Sequence, residues 1–386
     1  MRGHLRKRGR KSWSIVVEID HDADGRRRQK WETVQGTKKK AEARLAEILH
    51  ALKTGLYIEP AKLTVEQYLE KWLEATKPNV AGKTFERYGE IVRSQLAPAL
   101  GKVLLSKLSP LQIQAAHAKA LASGRLDGKK GGALSPQTVL HHHRVLREAL
   151  HQAVKWRLLA RNPAEAVDPP KPQRKEMHAI DAPKMADIVG GTRLYMPVLL
   201  ALTTGMRRGE FLGVRWADID FDAATVAVRR SIEQTKEGIR YKSPKGKRGR
   251  LLHLPALTIE ALKIHKTAQD LTAAELGNAY RSEDIVCAQP DGAVWPPDTF
   301  SVQFARLAKR IGMKGVRLHD MRHSHATHLL TEGVHPKVVS ERLGHSSVSI
   351  TMDIYSHVMP GMQESAAGKI DSTLKSAIEK QQKPAV

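Results

Sequence analysis

Midway along the chain, residues 162–176 read NPAEAVDPPKPQRKE, with four prolines among fifteen residues. Such a stretch can continue neither a helix nor a central strand, because each proline removes a backbone donor and restricts its predecessor. It suits an extended tether between separately folded halves. The full length of 386 residues also exceeds what one hydrophobic core ordinarily serves, so two or three domains are expected.

Ahead of the tether the pattern changes once. In residues 1–58, Trp13, Ile15, Val17 and Ile19 alternate along one strand, and Gln29 to Val34 reads as a second, joined to it by the turn-rich HDADGRRR. Thr37 is placed to cap a helix carrying Ala41, Leu45, Ile48 and Leu52 at helical spacing. This small unit is studded with Arg8, Arg10, Arg26, Arg27 and Arg28. Residues 62–165 read as helix throughout. Val65, Tyr68, Leu69 and Trp72 share one face, as do Val139, His143, Leu146, Leu150 and Val154, with Ser135 and Pro136 at a helix start. Of the three histidines at 141–143, consecutive on a helix and so pointing apart, one is expected to face the core.

Beyond the tether, Asp181 and Pro183 open a helix, and LYMPVLLALTTG reads as a buried helix ending at Gly205. Five fragments then carry chemistry: TGMRRGE, SPKGKRGR, HDMRH, LGHSS and DIYSH. Arg207 follows directly on a rigid helix end, and a guanidinium donates two hydrogen bonds to phosphate oxygens while staying charged. TVAVRRS and RLLHLP read as strands flanking a basic loop that holds Lys245, Lys247, Arg248 and Arg250. His319 and Arg322, three apart at a helix start, face the same side. A zinc protease helix wants glutamate after its first histidine. Here Asp320, Met321 and Arg322 follow, and the fixed charge of Arg322 opposes a cation, so no metal site is expected. His345 follows a helix ending at Gly344, and Tyr355 comes ten positions later.

The formal net charge of +24 favours a polyanionic partner, whereas aromatic residues at 5% argue against base reading by stacking. The single Cys287 excludes an intrachain disulfide and a cysteine-based zinc site. No run reaches the roughly 18 apolar residues of a membrane span, so a soluble cytoplasmic protein is expected.

In order and spacing, the five fragments resemble the tyrosine recombinase (phage integrase) family. The resemblance implies an α+β multidomain fold: a β-rich arm-binding unit (1–58), a helical SAM-like core-binding bundle (62–165), and a mainly helical catalytic domain with a small sheet (175–386). It implies that Tyr355 attacks a DNA backbone phosphate, giving a 3′-phosphotyrosyl bond. Arg207, Arg322 and His345 would hold the phosphate, His319 would assist proton transfer at the tyrosine, and Glu210 would support the site. A lysine would protonate the leaving 5′ oxygen, with Lys245 favoured and Lys242 and Lys247 as rivals. A phenol with a pKa near 10 needs a positive pocket to ionise, and the arginines would supply one. Implied partners are double-stranded attachment-site DNA, three further copies in a tetramer, and accessory DNA-bending or directionality proteins, with no cofactor and a nucleoid-associated location. The tail, with Ile370, Leu374 and Ile378 in helical register, would dock on a neighbouring copy or pack on its own. The function implied is integration or excision of a mobile element. A chromosome-dimer-resolving or inverting recombinase, and a catalytically silent DNA-binding protein of the same fold, are the alternatives.

Overall fold

The structure, a computed structural model, describes residues 3–21, 27–53, 62–124, 132–173, 180, 183–184, 187, 192, 194–244, 249–356 and 362–382. The chain divides into two compact units, 1–174 and 175–386.

The first unit opens with an antiparallel sheet of β1 (Gly3–Gly9), β2 (Ser12–His21) and β3 (Arg27–Gln35), in that spatial order. Helix α1 (Lys38–Lys53) covers it, burying Ile48 and Leu52 against Ile15 and Val17. Each such side chain contributes about 1.5–3 kcal/mol, and the Thr37 hydroxyl accepts from the Lys40 amide at 3.3 Å to cap the helix. Strand β1 is an element the sequence pattern conceals. HLRKR offers only Leu5 to the apolar side, and what holds it is the backbone ladder, from Gly3 opposite Val17 to Gly9 opposite Ser12.

The helical part comprises α2 (Val65–Thr76), α3 (Gly82–Ile91), α4 (Ala97–Leu100), α5 (Pro110–Ser123) and α6 (Pro136–Lys155). Capping boxes start two of them: Thr64 with Gln67, and Ser109 with Gln112. Tyr68, Leu69 and Trp72 meet Leu146 and Leu150 in one core, and the Tyr68 hydroxyl donates to the Ala149 carbonyl. Two sequence expectations need correction here. Both His142 and His143 are buried, not one, because α6 packs against α2 and α3 as well as α5. The first part of the proline-rich stretch is also not a free tether. Asn162 donates to the Arg147 carbonyl at 2.9 Å, and Ala164 and Val167 are buried in the helical core. Its prolines rule out regular structure but leave the apolar residues between them free to pack.

In the second unit, α7 (Tyr195–Thr204) is buried on nearly every side, which explains its unbroken apolar run. The short α8 (Arg208–Phe211) follows. A sheet of β4 (Ile219–Asp220), β5 (Thr225–Val228) and β8 (Arg250–His253) pairs Val226 with Leu252. The two anticipated strands do pair, but a separate hairpin of β6 (Ser231–Thr235) and β7 (Gly238–Lys242) lies between them in the chain. Then come α9 (Ala256–Leu276), α10 (Pro297–Arg310), α11 (Leu318–Thr331), α12 (Pro336–Leu343), α13 (Val348–Tyr355) and α14 (Met362–Gln382). Helix α11 packs on α7 and α12, and this contact positions the site. Ile370, Leu374 and Ile378 of α14 are exposed. The helix expected at Asp181 lies mostly outside the described residues. Among the described residues, no helix is long and apolar enough to cross a membrane.

Candidate functional site

Two helix ends hold two arginines. Helix α7 stops at Gly205 and α12 at Gly344, both in the left-handed region with φ of 65°. Glycine is required at both for space as well as conformation. A Cβ on Gly205 would come within 2.6 Å of the His325 ring, and one on Gly344 within 2.9 Å of the Arg250 guanidinium. The carbonyls at such ends lack helical partners and carry the negative end of the helix dipole. Here they accept from guanidinium groups. Arg322, 4% exposed on α11, donates to the Gly205 carbonyl at 2.6 Å and the Leu343 carbonyl at 2.7 Å. Arg207 donates to the Gly344 carbonyl at 3.0 Å. A guanidinium has five N–H donors, so both arginines are fixed from behind and keep donors for an anion.

Glu210 ties this frame together from beneath. Its carboxylate, 1% exposed, accepts from the Arg207 amide at 2.9 Å and side chain at 3.0 Å, and from both terminal nitrogens of Arg250 at 3.2 and 2.7 Å. Burial alone would raise its pKa, but the Arg250 hydrogen bond and charge, with Arg207 behind them, hold it below the ordinary value. Arg207 and Arg250 pair with this one carboxylate and Arg322 also feels its charge, so three guanidinium groups share one negative charge and the cluster stays positive. Burial, then the charge of Arg207, lowers the Arg322 pKa to about 9, which leaves it charged at neutral pH.

Tyr355 ends α13 at 2% exposure. Its hydroxyl lies 2.6 Å from Nδ1 of His323, on the helix that carries Arg322. The family resemblance implies that His319 assists proton transfer at Tyr355. The structure sets His319 one turn before His323, edge-on to it with ring centres 4.7 Å apart. The spacing HDMRH contained this signal, since positions four apart share a helix face. At the phenol, burial outweighs the Arg322 charge and pushes Tyr355 up to about 12. His345 donates to or accepts from the Thr351 hydroxyl through Nδ1 at 2.9 Å. Burial, then Arg322 and Arg207, lowers it to about 4, so it is neutral at pH 7 with Nε2 left for a ligand. A cavity of about 370 Å³ adjoins the cluster, lined in part by Met206, Phe211, Arg317, His319 and Arg322.

The other sequence-selected residues among those described have different partners. Arg208 turns away, donating to Ser301 and the Pro297 carbonyl, which leaves Arg207 as the arginine of this cluster. Arg250, grouped by the sequence with DNA-contacting bases, is instead engaged inside the protein, its Nε donating to the Arg342 carbonyl and its fork to Glu210. Lys242 is paired with Glu233 at 2.6 Å. Lys245, Lys247, Arg248 and Arg26 lie outside the described residues. Arg8 and Arg10 are exposed at the end of β1 and just beyond it, and Arg27 and Arg28 belong to the backbone of β3.

Residues 177–361 match the model of the phage integrase family, and residues 64–121 that of the phage integrase N-terminal SAM-like domain. A tyrosine recombinase XerC-like protein of Caldanaerobacter subterraneus subsp. tengcongensis is 30% identical over 384 residues, covering 93% of this chain and 96% of that relative. Among solved structures, the Tn1549 transposon integrase in complex with transposon right end DNA superposes with a TM-score of 0.66 at 18% identity, over 80% of this chain and all of that one. The lambda integrase tetramer bound to a Holliday junction gives 0.51 at 18% identity, over 89% and 95%.

Proposed function

Because the chain belongs to the phage integrase family, the tyrosine recombinases, and is a DNA strand transferase of site-specific recombination, we propose that Tyr355 is its nucleophile and that Arg207, Arg322 and His345 hold the phosphate it attacks. One observation carries the reading. A buried tyrosine hydroxyl is held by the same helix that presents a buried arginine, and that arginine is braced by two helix-end carbonyls. Preorganised donors of this kind stabilise charge as it develops on the non-bridging oxygens.

Tyr355 attacks in line, forming a 3′-phosphotyrosyl bond and releasing a 5′-hydroxyl. The phosphoester is conserved in the covalent link, so religation to another 5′-hydroxyl needs no nucleotide cofactor. Lys245 protonates the leaving oxygen. Lys242 is less suited, being held by Glu233. His319 assists the proton's transfer from Tyr355. The basic sheet-and-helix unit (1–58) binds arm-type DNA, the helical unit (62–165) grips the exchange site, and residues 175–386 perform catalysis. The exposed apolar stripe of α14 supports docking on a neighbouring copy in a tetramer on DNA. The N-terminal unit favours integration or excision of a mobile element, at attachment sites in the nucleoid and with accessory DNA-bending proteins, over chromosome-dimer resolution.

The test uses duplex DNA spanning the ends of the element that encodes the chain, nicked near the crossover so that the cleaved fragment diffuses away. Wild type in EDTA is expected to form a denaturant-resistant protein–DNA adduct, and Tyr355→Phe to bind the DNA without forming one. An adduct from the phenylalanine variant would move the nucleophile elsewhere.

A further inference from the structure

We infer that His323 is the immediate proton acceptor for the Tyr355 hydroxyl, with His319 behind it as the route to solvent. This rests on the reading of Tyr355 as nucleophile and adds a group that the five sequence fragments did not assign. The geometry is direct: Nδ1 of His323 lies 2.6 Å from the phenolic oxygen, and the two rings are 5.8 Å apart. His319 stands edge-on to His323 on its other side and is open to solvent.

The protonation states agree with this direction. At neutral pH the phenol is protonated, and burial raises its pKa further above the ordinary value near 10. Burial also lowers the His323 pKa, which favours the neutral imidazole, and in the tautomer with its proton on Nε2 the Nδ1 atom accepts from the hydroxyl. Partial desolvation, then His323 and Arg322, lower His319 as well. The charged and titratable groups facing His323 are His319, Asp320 and Arg322 on its own helix and Arg317 at that helix's cap, with Tyr355 and His345 opposite. Asp320 alone among them favours a charged imidazole, and it steadies the proton once transferred.

In the step itself the Oη–H bond breaks as the Oη–P bond forms, and the proton passes to Nδ1 of His323. The P–O5′ bond breaks, and O5′ takes its proton from the lysine assigned above. Religation reverses each transfer, returning the proton from His323 to Tyr355. A hydroxyl with a pKa near 12 gains most from such an acceptor, since it is almost wholly protonated near neutrality.

The experiment measures the rate of adduct formation on the nicked duplex against pH for wild type, His323→Ala, His323→Gln and His319→Ala. Gel shift and thermal melting report binding and folding alongside. The expected result is a fall of about 10²-fold or more for both His323 variants near neutral pH. Their rates should then climb with pH where wild type is level, and added imidazole should partly rescue His323→Ala but not Tyr355→Phe. Glutamine can hold the hydroxyl but cannot take its proton, so a wild-type rate in His323→Gln would reduce His323 to a positioning residue and overturn the inference. So would a His323→Ala rate equal to wild type, or a larger loss in His319→Ala than in His323→Ala. If wild type itself forms no adduct while binding DNA, the nucleophile assignment fails first, and the inference falls with it.

Discussion

Replacing Glu210 by Gln removes one buried negative charge from beneath two guanidinium groups while keeping the side chain's shape. The carboxylate accepts four hydrogen bonds from Arg207 and Arg250. Breaking a buried pair by removing one partner costs about 3–5 kcal/mol. Arg207 is 27% exposed and Arg250 13%, so solvent recovers part of the loss and the lower end, about 3 kcal/mol, applies. For a unit the size of residues 175–386, each kcal/mol lowers Tm by about 2–4 °C, giving a drop of about 6–12 °C. Scanning calorimetry at pH 7 reads it as a shift of the transition belonging to that unit. The sign with pH is also set. The folded pKa of Glu210 lies below its unfolded value, so the carboxylate's contribution is complete above about 4.3 and is lost as pH falls through the folded pKa. The gap between wild type and variant therefore closes in acid. A shift under about 2 °C at pH 7, or a gap that widens in acid, refutes the buried-brace account. Pairing Glu210→Gln with Arg250→Met should cost less than the sum of the two, because neither partner is then left alone.

Gly344→Ala should cost about 1–3 kcal/mol from its left-handed backbone. It should depress adduct formation beyond what its melting curve implies, since the Gly344 carbonyl holds Arg207 and the new Cβ crowds Arg250. Lys245→Ala should be slow on ordinary DNA and restored by a 5′-bridging sulfur, which leaves without a proton donor; Lys242→Ala should show neither effect. Both units should lose stability as pH falls from about 6.5 towards 4. Unfolded histidines protonate near the upper value, whereas burial holds His117 and His325 at about 4, and His117→Leu should flatten the loss in the helical unit. DNA binding should fall with salt at a log–log slope of about −0.9 per neutralised phosphate; a flat response contradicts phosphate clamping.

What the sequence made legible follows from what each element depends on. Helices α2, α6 and α7 were readable because their register is set by burial on a local period, and Val65, Tyr68, Leu69 and Trp72 are indeed all buried. Gly205 and Gly344 were readable as helix ends because a left-handed residue so often needs glycine. Strand β1 was not, since its order comes from pairing with β2 rather than from its own side chains. The arginines of the site were visible in their motifs, but the engagement of Arg250 by Glu210 crosses 40 residues and that of Arg322 by Gly205 crosses 117. Such long-range partners leave no local pattern. His323 was hidden differently: it stood beside the expected pair, and only the arrival of α13 decided which histidine met Tyr355.

The most direct test of the central claim is chemical mapping of the covalent bond. Wild-type protein is trapped on the nicked duplex in EDTA, digested with nuclease and protease, and sequenced by mass spectrometry, while the released strand is probed for its 5′ end. The account predicts a 3′-phosphotyrosyl remnant on the peptide containing Tyr355 and a released strand that kinase labels without prior phosphatase treatment. A remnant on another residue, or a phosphorylated 5′ end on the released strand, contradicts it.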